Sequence, residues 1–208
     1  MARGITGYDG AMDARGANVD RERIAAAAAA IRRGEIIAFP TETYYGLAVD
    51  ALDAFALERL FALKGRGAEK ASALLVADLA MFAGLCAEVP LRARELAATH
   101  WPGPLTIALP ARPDLPAAIV SDGCVAARVS SHPVAAALVE AVGRPLTCTS
   151  ANPAGALPAR TAREVAAHFA GRDVFLLDGG QTPGGAPSTL VRMRDGGFEV
   201  LRRGAIAL

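Results

Sequence analysis

The chain is poor in lysine, aromatic residues and cysteine, and it has no long apolar run. Each shortage excludes something. Lys+Arg 22 against Asp+Glu 21 leaves a net charge of +1, so no global basic field points to non-specific binding of nucleic acid or acidic membrane. The longest purely apolar run, Ile24 to Ile31, has 8 residues, far below the roughly 20 that span a bilayer. The first 20 residues contain no apolar stretch followed by a cleavage-like site, which argues against a signal peptide. Cys86, Cys124 and Cys148 are odd in number and form no CxxC pair. A disulfide framework or cysteine-rich zinc site is therefore not expected, and buried thiols in a reducing cytoplasm are. His100, His132 and His168 lack metal-ligand spacing. No protein metal site is expected, and the chain reads as a soluble cytoplasmic domain.

What remains is a globular composition, 52% hydrophobic and 21% charged over 208 residues, with room for one domain or two small ones. No repeat, linker or composition break divides it. The expectation is a flexible leader at 1–18 followed by a single domain over 19–208. Only Lys64 and Lys70 are lysines, six positions apart. An ammonium differs from a guanidinium in shape and hydration, so the two sit either where an amine is required or by chance on a solvated loop.

The Ala-rich stretch from Asn18 to Arg33, ended by Gly34, predicts a helix, and Ile36–Phe39 predicts a buried strand stopped by Pro40. Further strands are expected at 74–77, 105–109, 125–129, 146–149, 174–177, 189–193 and 198–201. Helical patterns lie between many of them, at 54–63, 79–86, 91–99, 134–142 and 162–169. Interleaved strands and helices argue for α/β. Asp195-Gly196-Gly197 reads as a hairpin turn between the last two strands, which makes the sheet mixed.

The familiar nucleotide loops are absent: neither lysine follows a glycine, and no GxGxxG follows the first strand. There is also no GxSxG elbow. Polar clusters instead stand just beyond strand ends, where α/β sheets hold ligands. Pro40-Thr41-Glu42-Thr43-Tyr44-Tyr45-Gly46-Leu47 either orients a small polar molecule or satisfies its own turn. Lys64, Arg66 and Lys70 either clamp phosphate or complement a helix C-terminus. Trp101-Pro102-Gly103-Pro104 reads mainly as architecture. Thr147 to Asn152 offers hydroxyls and an amide for phosphate or ribose, or an ordinary turn or cap. The glycine-rich run from Asp178 to Thr189 brings backbone amides near an anion. Arg128, Arg202 and Arg203 are further anion partners.

In this order the clusters resemble the threonylcarbamoyl-AMP synthase family, with its YrdC-type fold. The matching stretches are PTETYYGL at 40–47, KGR at 64–66, WPGPLT at 101–106, VAARVSSHP at 125–133, TSAN at 149–152, GGAPSTLV at 184–191 and LRRGAI at 201–206. The resemblance covers the chain from about Ile24 to the end of the sequence.

The resemblance implies a twisted mixed sheet with flanking helices and a concave, positively lined cavity. It also implies synthesis of threonylcarbamoyl-AMP and pyrophosphate from L-threonine, bicarbonate or CO2, and ATP, with Mg2+ as companion. The product supplies tRNA modification beside the anticodon through a downstream threonylcarbamoyl transferase complex. Neither membrane nor DNA is an implied partner. The family's K-x-R and S-x-N tetrad is matched by Lys64, Arg66, Ser150 and Asn152, implied to be catalytic. Thr43, Arg128 and Ser188 fall where threonine is held. Arg66, Lys70, Ser150, Asn152 and Arg202 fall where ATP or the adenylate is held.

Two departures stand out. Gly67 and Lys70-Ala71-Ser72 replace a pattern with two prolines, which is expected to loosen the 67–72 loop. Arg128-Val129-Ser130-Ser131-His132 replaces R-x-P-x-H. The chain is similar to the short, single-domain form of the family. A paralogue of the same fold that binds RNA or forms a carbamoyl-adenylate is the alternative. An aromatic content of only 5% counts against RNA binding.

Overall fold

Asp20 caps the first helix, α1 (Arg21–Arg32), its carboxylate accepting the Arg23 amide at 3.0 Å. The computed structural model describes residues 20–65 and 71–208. The leader expected at 1–18, Arg66, Lys70 and most of the 67–72 loop lie outside the described residues. α1 buries Ile24, Ala27, Ala28, Ala30 and Ile31 and packs beside α5 (Pro133–Val142). After it, β1 (Ile36–Pro40) is buried along its whole length, as an unbroken apolar run requires.

β1 pairs antiparallel with β2 (Tyr45–Ala48) and parallel with β9 (Val174–Leu176). With β8 (Thr149–Ser150) these make a four-stranded sheet in the order β8-β2-β1-β9. The second sheet runs β11 (Gly197–Arg202), β10 (Thr189–Arg194), β4 (Leu105–Pro110), β6 (Cys124–Arg128), β3 (Leu74–Leu75), β7 (Leu146–Thr147). A short β5 (Val120–Ser121) adds to β6 as the seventh strand. Both sheets mix parallel and antiparallel pairs. The β10–β11 hairpin turns at Asp195-Gly196 as expected, with Gly196 at φ 76°.

Several sequence expectations change. The single sheet is two sheets. The strand expected over 146–149 is two short ones, because the chain leaves the larger sheet after Thr147 and enters the smaller at Thr149, turning at Cys148. β2 was hidden in a stretch of Thr, Glu, Tyr and Gly that lacks an apolar pattern. Tyr45 belongs to the core there, fully buried, with its hydroxyl donating to Gly180 O at 2.7 Å.

The remaining helices are α2 (Ala54–Lys64), α3 (Leu79–Ala83), α4 (Leu91–His100) and α6 (Ala162–His168). α3 is shorter than the expected 79–86, ending at Gly84. α6 starts on a capping box, Thr161 with Glu164. β1 divides two cores. Ile36 and Ala38 face one, with α2, α4 and the larger sheet, while Ile37 and Phe39 face the other, with α1 and α5. Trp101 serves the architecture as expected, its Nε1 donating to Leu105 O at 2.7 Å and its ring edge-on to Phe82. Among the described residues no helix is long and apolar enough to cross a membrane.

The three cysteines are free, but only Cys86 is buried; Cys124 and Cys148 are half-buried. Burial pushes the Cys86 thiol up to about 12, with the neighbouring Cys124 adding to the shift. A thiol whose pKa is raised on folding stabilises the fold fully below its unfolded value. That stability is lost as pH rises towards the folded value. The Cys86 contribution therefore declines between pH 9.0 and about 12. Denaturant unfolding across this window should show an alkaline loss with a slope of up to about 1.4 kcal/mol per pH unit, and Cys86→Ala should lack that component. A second expectation concerns Gly204, which passes so close to the Pro187–Thr189 backbone that a Cβ would overlap Pro187 O and lie 2.6 Å from Thr189 N. Gly204→Ala should lower stability by about 1–3 kcal/mol, read as a drop in the urea midpoint; an unchanged midpoint would contradict the packing.

Candidate functional site

A cavity of about 440 Å3 opens where the two sheets meet. One wall comes from the β1–β2 turn, through Thr41, Thr43 and Tyr44, and from Ser150 at the end of β8. The other comes from Arg128 at the end of β6, Ser188 before β10 and Arg202 at the end of β11. Ala71, Ser72 and Ala73 close one side. A smaller hollow of about 220 Å3 shares these three residues and Arg202, and has Ala108, Ala126 and Leu190 in its lining with Arg192.

The β1–β2 turn is built to present hydroxyls. Thr41 Oγ1 donates to Tyr44 O at 2.7 Å and accepts from Thr43 N at 3.2 Å. Thr43 Oγ1 lies 3.3 Å from Thr41 Oγ1. The glycine-rich run docks on this turn: Gly184 N donates to Thr43 O at 2.6 Å, and Tyr44 OH to Gly185 O at 2.9 Å. Glu42 is not part of the lining. The turn sets both threonines on the lining and leaves the Glu42 carboxylate off it, held by Arg128 and Ser130.

Arg128 is 7% exposed. Its Nε lies 2.9 Å from Glu42 Oε1, an ion-pair contact out of line for a hydrogen bond, and its Nη2 donates to Cys148 Sγ at 3.3 Å. Burial works against the guanidinium charge, but Cys148 and Glu42 more than compensate and raise its pKa. Burial also raises the Cys148 thiol, against the pull of Arg128. On the same wall Arg202 donates to Ser188 O at 2.8 Å and Ser188 Oγ at 3.0 Å. Its pKa is lowered by burial and then by the like charge of Arg128. Two guanidinium groups thus face one hollow, an arrangement that an anion between them relieves.

Ser188 Oγ also meets Thr106 Oγ1 at 2.8 Å, both buried. His132 caps α5 through Nδ1, 3.3 Å from Val134 N. Burial lowers its pKa against the opposing effect of Glu42, in keeping with a neutral ring that accepts.

The predicted residues divide as follows. Thr43, Arg128, Ser150, Ser188 and Arg202 come together on the lining. Lys64 and Asn152 are not on it; both stand behind the turn that carries Ser150. Lys64 is 4% exposed, and its Nζ donates to Ser150 O at 2.5 Å. Asn152 Nδ2 donates to Pro153 O at 3.0 Å and Ala156 O at 2.7 Å. Arg66 and Lys70 lie outside the described residues. Sequence reasoning gave no individual role to Glu42, Ser130 or Cys148. The available signal was one carboxylate set among hydroxyls at 41–43.

Comparison with known proteins matches this architecture. The Sua5/YciO/YrdC family model, described as "Telomere recombination", matches residues 29–204. The threonylcarbamoyl-AMP synthase of Pyrococcus abyssi is 37% identical over 191 residues, covering 91% of this chain and 56% of that protein. The synthase of Chromohalobacter salexigens is 42% identical over 186 residues, covering 88% of this chain and 97% of its own. The crystal structure of P. abyssi Sua5 complexed with L-threonine superposes with a TM-score of 0.85 at 37% identity, covering 90% of this chain and 55% of that one. The chain thus spans about half the length of the P. abyssi relative and nearly all of the Chromohalobacter one. With a family match over most of its length and a backbone that superposes on P. abyssi Sua5, the chain belongs to the Sua5/YciO/YrdC family.

Proposed function

We propose that the chain makes threonylcarbamoyl-AMP and pyrophosphate from L-threonine, bicarbonate or CO2, and ATP. The observation that carries this reading is the pair of guanidinium groups, Arg128 and Arg202, facing one hydroxyl-lined cavity. The synthases named above support it.

In this reading the Arg128 guanidinium takes threonine's carboxylate, while Thr43 and Ser188 orient its amine and hydroxyl. The neutral amine adds to CO2 and gives up a proton to water, leaving a carbamate anion. A carbamate oxygen then attacks the α-phosphorus of ATP, and the bond to the β,γ-diphosphate breaks to release pyrophosphate. Two anions are brought together, so the site has to supply positive charge and hydrogen-bond donors at the reacting centre. Arg202, Arg66 and Lys70 meet the phosphates. The smaller hollow, whose lining mixes Ala108, Ala126 and Leu190 with Thr106, Asp122 and Arg192, takes the base. Lys64 and Asn152 hold the Ser150 turn in place for the nucleotide. No protein nucleophile is needed, and positioning supplies most of the catalysis.

Among the described residues no three His, Cys, Asp or Glu side chains gather as a metal-binding group. A Mg2+ ion would enter with the ATP substrate, held mainly by the phosphates. In this reading the product passes to a downstream transferase that modifies tRNA, and the reaction is a cytoplasmic one.

The test is pyrophosphate release by purified protein, with L-threonine and bicarbonate each present or omitted, and mass spectrometry of the adenylate. Release that needs both co-substrates is expected. Lys64→Ala and Arg66→Ala should each lower turnover at least about tenfold while the protein stays folded. Near-normal turnover in both would remove the tetrad assignment. Release driven by carbamoyl phosphate instead of threonine would overturn the synthase reading in favour of the carbamoyl-adenylate reaction.

A further inference from the structure

At the cavity wall, two side chains carried by one sheet, Arg128 and Ser130, meet a carboxylate carried by the other, Glu42. Glu42 lies in the β1–β2 turn of the smaller sheet, whereas Arg128 and Ser130 lie at the end of β6 in the larger one. Glu42 Oε1 contacts Arg128 Nε at 2.9 Å, and Ser130 Oγ donates a short hydrogen bond to Glu42 Oε2. The same Ser130 hydroxyl accepts the His132 amide at 3.1 Å. Val76 N donates to Arg128 O at 3.1 Å, and Gly103 N to Val129 O at 2.9 Å. The backbone that carries Arg128 and the hydroxyl that holds Glu42 are thus both fixed.

The orientation of the guanidinium follows from its contacts. Glu42 meets it on Nε, and Cys148 accepts from Nη2. None of the described hydrogen bonds uses Nη1, while Arg128 forms part of the cavity lining and Glu42 does not. A charged group this deeply buried has a strongly direction-dependent environment, and removing its partner leaves it uncompensated. Ser130 is 1% exposed, so its hydroxyl is held by these partners, with almost no access to water.

We infer that Glu42, itself fixed by Ser130, is a positioning residue that occupies the Nε side of Arg128 and turns the guanidinium's remaining donors towards a carboxylate ligand. The inference rests on the reading above, in which that ligand is the carboxylate of L-threonine. Glu42 and Ser130 touch no substrate themselves; their effect is confined to how well Arg128 recognises a carboxylate.

The test compares wild type, Glu42→Gln, Ser130→Ala and Ser130→Thr in the intact chain. It measures KM for L-threonine and for ATP, and calorimetric binding of L-threonine against L-threoninamide, which lacks the anionic carboxylate. Glu42→Gln and Ser130→Ala should raise KM for threonine by about tenfold or more, the scale of one charged hydrogen bond. KM for ATP should stay within about twofold, and the preference for threonine over threoninamide should fall by about the same factor as KM for threonine rises. Ser130→Thr keeps a hydroxyl and should restore both values. Unchanged threonine KM and preference in both variants would overturn the positioning role. So would an equal rise in both KM values, or a Ser130→Thr protein as impaired as Ser130→Ala. A wild-type protein that binds no threonine would overturn the reading of the cavity itself, and the positioning role with it.

Discussion

A guanidinium almost cut off from water has to be matched by its surroundings, and Arg128 is the place where this chain meets that constraint. Moving an ion into a protein interior costs several kcal/mol unless partners replace the lost water. Here the replacement comes from a carboxylate in the other sheet and from a thiol at the point where one sheet passes into the other. Satisfying one buried charge therefore draws together the β1–β2 turn, the end of β6 and the bend at Cys148. Those are the same segments that form the cavity. The geometry of the hollow and the solvation of Arg128 are one problem with one solution.

Lys64 shows the same economy. It ends α2, and its ammonium donates to the carbonyl of Ser150, 86 positions away. That charged hydrogen bond ties a helix terminus to a strand end, and a backbone bond from Ala154 N to Lys64 O at 3.0 Å supports it. An arginine, with a longer and planar head, does not fit the same point contact. That gives a physical reason for one of only two lysines in a chain that otherwise uses arginine.

Much of the fold was legible because its elements obey simple periods. The alanine helix, the buried run at Ile36 and the Asp-Gly hairpin each carry a local signal. β2 was not legible, because Tyr45 and Gly46 give no apolar alternation; their burial is imposed by neighbours distant in sequence. The division of 146–149 between two sheets was invisible for a similar reason, since two-residue strands have no period. For the site, the polar clusters were legible by type and order, but not by direction. Nothing local distinguishes Thr43, which faces the cavity, from Glu42, which turns away, or shows that Lys64 points to a carbonyl. Ser130 stands where the resembled pattern has proline. A proline constrains its backbone through the ring, whereas this serine does so through two hydrogen bonds.

The cavity walls belong to separate sheets, and this has a mechanical consequence. A small molecule that touches Thr43 on one side and Ser188 on the other acts as a removable crosslink between them. Because such a molecule binds the folded chain and not the unfolded one, occupancy adds directly to stability. The opening most strongly suppressed is the one that would part the two sheets. In a cell, the amount of this protein that survives proteolysis would then follow the supply of whatever fills the hollow, so that metabolite level is recorded in protein lifetime as well as in flux.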